Sequence, residues 1–251
     1  MSRRRTRENE KYFYAARDKQ PKPDLAIVNN EYIQKKKTVE LIPKSLNQET
    51  YIDLLLDPNR TIVFATGPAG TGKTMLAVMA AIRAFKQGEC RKIVVTRPAV
   101  GVDDEQHGFL PGDLNQKMEP WLKPIMDVFA EYYRPTDIAK MLDEQIIEIA
   151  PLAYQRGRTF KNSWIIFDES QNSTINQMKM MLTRLGNDSR MVVTGDLRQA
   201  DRSFIKDNGL NDFIARLVAS DSKMFGLIQF AARDIQRSPI VREVLKLYGE
   251  A

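Results

Sequence analysis

The stretch that most constrains this chain is GPAGTGKT (67–74). An apolar run, TIVFAT (61–66), precedes it, and KTMLAVMAAIRAFKQG follows with apolar residues at helical spacing. The octapeptide fits G-x-x-x-x-G-K-[S/T] and stands between strand and helix, as the chemistry of that pattern demands. Gly67, Gly70 and Gly72 let the backbone curl until its N–H groups face inward onto phosphate oxygens, with Pro68, Ala69 and Thr71 completing the curl. The helix start adds the positive end of its dipole. In such a loop Lys73 reaches the β- and γ-phosphates of a nucleotide, and the Thr74 hydroxyl ligates Mg2+. With glycine near ~7% of residues, a chance match arises in about one chain in a hundred of this length. A glycine-rich turn with no ligand is the bland alternative, and the strand and helix on either side argue against it.

Around the cradle the pattern alternates. KIVVT (92–96), EQIIEIA (144–150), WIIFD (164–168), RMVVTG (190–195) and FGLIQF (225–230) read as short strands. Helices are expected from 73 to Gly88, whose glycine suits a C-terminal cap, and over 114–133, 175–185, 210–218 and 240–248. Strands separated by helices imply a parallel sheet with helices on both faces, and nearly all-apolar strands suit a sheet covered on both sides. The expected fold is therefore an α/β three-layer sandwich with a central, mainly parallel β-sheet, occupying residues 44–251 and carrying an insertion at about 97–145. Residues 1–43, broken by Pro21, Pro23 and Pro43, read as an extended arm.

WIIFDESQN (164–172) ends an apolar strand in two adjacent carboxylates, whose like charges repel unless something positive stands near them. A strand lying beside a phosphate cradle delivers an acid to the same metal, so Asp168 is expected to hold Mg2+. Glu169 is then free to polarise a water for in-line attack on the γ-phosphate. An enzyme whose nucleophile is a bound hydroxyl does not need the second acid, so the pair points to ATP hydrolysis. Phosphotransfer to a small-molecule or nucleic-acid hydroxyl, with the insertion as a lid, is the second class of function. A nucleotide-switched protein-binding module is the third. RMVVTGDLRQAD (190–201) carries Thr194, Asp196 and Gln199 past a strand end, where ligands of such sheets gather, and Gln199 is placed to sense the γ-phosphate.

The net charge of +6 and isoelectric point near 9.3 suit polyanionic partners. Arg3, Arg4, Arg5, Arg7, Lys11, Arg17, Lys19 and Lys22 crowd the arm, and Tyr12, Phe13 and Tyr14 among them could stack on bases. A solvated arm with no ligand explains the same residues equally well. The single cysteine, Cys90, forms no internal disulfide. No apolar run approaches the roughly 18–20 residues that span a bilayer, and the first residues lack a signal-like apolar stretch, so a cytoplasmic location with no membrane partner is expected.

Taken in order, GPAGTGKT, VVTRPAV, GFLPGDLNQKMEPWLKP, PLAYQRGRTF, FDESQN and VVTGDLRQAD resemble the PhoH family of P-loop ATPases. Phages often encode members, and the family is similar to the first RecA-like domain of superfamily 1 helicases. The resemblance runs from about Leu46 to the end of the chain. It implies a RecA-like P-loop NTPase fold, ATP and Mg2+ as cofactors, and a bacterial or phage-infected host cell. It further implies that Gln48 reads the adenine edge, that Gln171 links the metal site to the γ-phosphate, and that Arg237 reaches towards the phosphates, in its own site or a neighbour's. Arg156 and Arg158 become candidates for phosphate or nucleic acid. Ser170 stands where the family more often has Ala, and His107 where an apolar residue or Lys is expected, as a loop residue rather than a metal ligand. Superfamily 1 helicases close two lobes around ATP, and this chain has one. A head-to-tail ring, a hexamer, in which each subunit completes its neighbour's site is the implied assembly. Stimulation by single-stranded RNA or DNA and helicase-like motion are implied with it.

Overall fold

The computed structural model describes residues 38–98, 114–199 and 207–236, together with residues 240, 243, 244 and 247. Six strands, β1 (Ile62–Thr66), β2 (Lys92–Arg97), β3 (Ile147–Pro151), β4 (Ser163–Phe167), β5 (Arg190–Gly195) and β6 (Phe225–Gln229), form one sheet in the order β3-β2-β4-β5-β1-β6. Every pairing is parallel, so the sheet is wholly rather than mainly so. Among the described residues six continuous helices accompany it: α1 (Leu46–Leu56), α2 (Lys73–Lys86), α3 (Leu114–Tyr132), α4 (Pro135–Asp143), α5 (Ile175–Leu182) and α6 (Gly209–Val218).

Because successive strand residues point to opposite faces, alternate residues feed two cores. Val63, Ala65, Ile93, Val95, Ile166 and Val192 pack with Tyr51 and Leu55 of α1, Leu76 and Phe85 of α2, Phe129 of α3 and Met141 of α4. Ile62, Phe64, Val94, Ile165, Phe167 and Val193 pack with Met178 and Met181 of α5 and Leu210 of α6. This is the three-layer α/β arrangement expected, each buried Leu, Ile or Phe adding about 1.5–3 kcal/mol of transfer free energy. Packed residues begin before Lys44, since Val39 is buried in the first core.

The differences from expectation have local causes. Helix α1 lies where no element is expected from the sequence, and Ser45 caps it by accepting from Gln48 N, the S-x-x-Q spacing of an N-terminal cap. Helix α4 restarts the insertion after α3, with Pro135 at its first position and Ile138 and Met141 turned inward. Strand β3 begins at Ile147 rather than 144 because Gln145 takes a left-handed φ of 57°. Helix α5 stops at Leu182, where the Thr183 hydroxyl donates back to the carbonyls of Lys179 and Met180. Gly88, left-handed at φ 74°, closes α2 as expected. Of the expected terminal helix, Ile240, Glu243, Val244 and Leu247 are described, and all are helical.

Candidate nucleotide site

Strand β1 stops at Thr66, and the chain turns through Gly67, Gly70 and Gly72 at φ 131°, 80° and 83°. At Gly67 a Cβ would lie 2.5 Å from the Phe230 carbonyl oxygen, so the turn needs glycine both for its conformation and for its neighbour. The segment after β6 is laid against the loop: Phe230 N donates to Thr66 O at 2.7 Å and Gln236 N to Gly70 O at 2.8 Å. Helix α2 starts at Gly72 with no side-chain cap, leaving its first N–H groups for an anion. Lys73 Nζ donates to Gly67 O at 2.6 Å and Pro68 O at 2.7 Å, so the cation is folded onto its own loop. Burial lowers the Lys73 pKa, and the carboxylates of Asp196, Glu169 and Asp168 oppose that shift.

The strand order explains how the acids reach this loop. Strand β5 lies between β4 and β1, so the tip of β4 faces α2 across it. Thr74 Oγ1 donates to Asp168 Oδ1 at 2.8 Å, and Thr194 Oγ1, from β5, donates to the same oxygen at 2.5 Å. Glu169 follows in a left-handed conformation, φ 49°, uncommon for a residue with a side chain. Its Oε1 pairs with Arg97 Nη2 at 2.7 Å and its Oε2 accepts from Gln171 Nε2 at 2.5 Å. Gln171 Oε1 in turn accepts from Asp196 N at 3.1 Å, so one buried amide ties the tip of β4 to the tip of β5. Asn208 Nδ2 holds Gln171 O at 2.8 Å, and the buried Ser170 hydroxyl donates to Thr194 O at 2.8 Å.

Lys73, Thr74, Asp168, Glu169, Asp196 and Gln199 line one cleft with Gly70 and Gly72. Gln48 does not line it. Its Nε2 donates to Thr71 O at 2.9 Å and its Oε1 accepts from Lys44 N at 2.7 Å, so here the buried amide braces the loop from behind. Arg158 is also elsewhere: it pairs with Glu148 of β3, which Lys92 holds at 2.7 Å, and lies over the Phe160 ring. That guanidinium is committed within the fold, unlike Arg156, which is exposed. Arg237, His107 and the GFLPGDL segment up to Asp113 lie outside the described residues. The grip of Arg97 on Glu169 was not expected from the sequence. The signal was present: β2 ends in a base beside the strand that ends in acids, with Thr96 in register with Phe167. Asn208 left no such signal.

The donor set fits a hard dication. Asp168 and Thr74 bring carboxylate and hydroxyl oxygens to one point, and among the described residues no cluster of three His, Cys, Asp or Glu side chains forms a cage. Mg2+ is held in that manner, through one or two protein oxygens with phosphates and water supplying the rest.

The family pattern described as PhoH-like protein matches residues 40–249. A PhoH-like protein of Synechocystis sp. is 41% identical over 82% of this chain and 61% of its own length. A PhoH-like protein of Bacillus subtilis is 41% identical over 82% of this chain and 63% of its own. The chain thus spans about three-fifths of the curated relatives it matches. Among solved structures the Sulfolobus solfataricus SWI2/SNF2 ATPase core in complex with dsDNA is a loose likeness, 15% identical over 81% of this chain and 48% of that one, with a TM-score of 0.44.

Proposed function

The chain belongs to the PhoH family of P-loop proteins, and on that premise we propose that it hydrolyses ATP with Mg2+, using Glu169 as the general base. The observation that carries the reading is the contact of Thr74 with Asp168, with a second carboxylate one residue further on in the same cleft. Asp168 and Thr74 are the residues that would hold Mg2+, which when bound neutralises charge on the β- and γ-phosphates. The uncapped N–H groups of α2 and the loop glycines bind phosphate oxygens, and Lys73 turns from Gly67 O and Pro68 O to meet them. Glu169 takes the proton of the attacking water, and Gln171 and Gln199 report the γ-phosphate between the two strand tips. Gln48 would read the adenine only by releasing Thr71 O and Lys44 N, which hold both ends of its amide here.

Among the described residues no arginine lines the cleft, and Arg97 is paired with Glu169. We therefore assign the charge-stabilising role to Arg237, donated between subunits of a head-to-tail ring, with single-stranded RNA or DNA as the stimulating partner. Phosphate release from Mg2+–ATP with no acceptor present tests the chemistry and separates it from phosphotransfer. Lys73→Ala is expected to abolish turnover. Glu169→Gln should keep ATP binding and lose about 10²–10⁴ in rate, the usual share of a general base. Wild-type rates in Glu169→Gln would remove Glu169 from that role.

A further inference from the structure

We propose that Arg97 is a positioning residue that holds Glu169 away from the hydrolytic water, and that the phosphodiester backbone of a single-stranded nucleic acid takes Arg97 and thereby releases the base. This rests on Glu169 being the base, as read above. Both carboxylate oxygens of Glu169 are occupied by donors, Arg97 Nη2 at 2.7 Å and Gln171 Nε2 at 2.5 Å. Each of its oxygens thus already carries one donor, and these two donors, rather than a water, set where the carboxylate points. The pair is not sealed: the Arg97 and Glu169 side chains are 26% and 33% exposed, so a ligand can reach them.

The surroundings of Arg97 say what that ligand is. Arg97 closes β2, and its register partner on β3 is Pro151. From Pro151 the chain runs directly into the turn Leu152–Gln155, which presents Tyr154 at 59% exposure, followed by the exposed Arg156. A guanidinium pairs with a phosphate as it does with a carboxylate, and a phosphate that engages both arms of its fork competes with Glu169 for Arg97. The exposed ring of Tyr154, three residues beyond the register partner of Arg97, can stack on an unpaired base, whose faces a duplex would hide. Competition of this kind is reciprocal: whatever frees Arg97 strengthens nucleic-acid binding by the factor through which nucleic acid frees Glu169.

The test uses the full chain, Mg2+–ATP, and oligouridylate, oligothymidylate or a duplex of equal length. Arg97→Gln should raise basal kcat about two- to fivefold, the range a half-exposed ion pair supplies, with KM for ATP unchanged and stimulation by single strands lost. Arg97→Lys should fall between it and the wild type on both measures. Glu169→Gln, hydrolytically dead, should bind oligouridylate about two- to fivefold more tightly than wild type in the absence of nucleotide. Tyr154→Ala should weaken that binding. If Arg97→Gln lowers the basal rate, or leaves rate and stimulation unchanged while Glu169→Gln is dead, the clasp is wrong and the assignment of the base survives. If Glu169→Gln hydrolyses ATP normally, the base falls and the clasp with it. Equal stimulation by the duplex overturns the single-strand partner. Should Arg97→Gln fail to fold, Arg97→Lys and the affinity of Glu169→Gln decide the matter.

Discussion

Thr194 and Asp168, 26 residues apart in sequence and on neighbouring strands, share a 2.5 Å hydrogen bond whose acceptor oxygen also receives the Thr74 hydroxyl. The middle strand of three therefore sets the position of the acid on one side relative to the helix that starts on the other. Asp168 is buried, and a buried carboxylate depends on such donors.

Thr194→Val keeps the shape of a β-branched strand residue and removes this donor. A hydrogen bond to a charged partner contributes about 1.5–3 kcal/mol. The variant should melt about 3–12 °C below wild type, as scanning calorimetry would show, given roughly 2–4 °C per kcal/mol for a chain of this size. Its Mg2+ dependence should shift as well, because the oxygen that meets Thr74 loses its second anchor. An unchanged melting curve would mean that Thr194 is a bystander.

Gly67 and Gly157 make a controlled pair. Both are left-handed, at φ 131° and 80°, but a Cβ at Gly67 would sit 2.5 Å from Phe230 O, whereas nothing lies within 4 Å of one at Gly157. Gly157→Ala bears only the conformational penalty, about 1–2 kcal/mol. Gly67→Ala adds a clash that must move the segment bonded to Thr66 and Gly70, for a total of about 2–4 kcal/mol. Urea midpoints for the two variants should differ in that order, and nucleotide affinity should drop only for Gly67→Ala. Equal losses would refute the close approach.

Much of this was legible in the residues. GPAGTGKT and WIIFDES announced a loop and an acid that must meet, and the alternation of apolar runs gave a covered parallel sheet. What escaped was set by partners distant in the chain. That Gln48 braces Thr71 from behind depends on how α1 docks beside α2, and no spacing within SLNQET encodes that docking. That Arg158 serves Glu148 follows from the tertiary position of β3, while the basic run YQRGR reads the same whether its arginines face a ligand or a carboxylate. The start of β3 at Ile147 was lost because a positive φ at Gln145 has no sequence mark.

Cys90 is 3% exposed, and burial pushes its thiol up to about 12, with the Glu89 carboxylate adding to the effect. The thiolate is the reactive form. The native protein should resist thiol reagents at neutral pH and react fully in urea. Rapid labelling of the native chain would contradict the burial of Cys90 in the first core.

Glu148 gives the fold a definite acid response. The hydrogen bond from Arg158, first, and then that from Lys92 hold its carboxyl at about 2, against an ordinary value of 4.5, although burial pulls the other way. A carboxyl whose folded value lies below its unfolded one binds more protons when unfolded. Its stabilisation is therefore complete above about pH 4.5 and is lost as pH falls towards 2. Arg158 is 37% exposed, so solvent screens part of the pairing, and about 1–2 kcal/mol is the expected size. Glu148→Gln removes the titrating group. Urea unfolding of wild type and variant, followed from neutral pH into this window, should show a gap that is widest at neutral pH and closes on acidification. A gap that stays constant with pH would show that Glu148 acts by packing and not by charge.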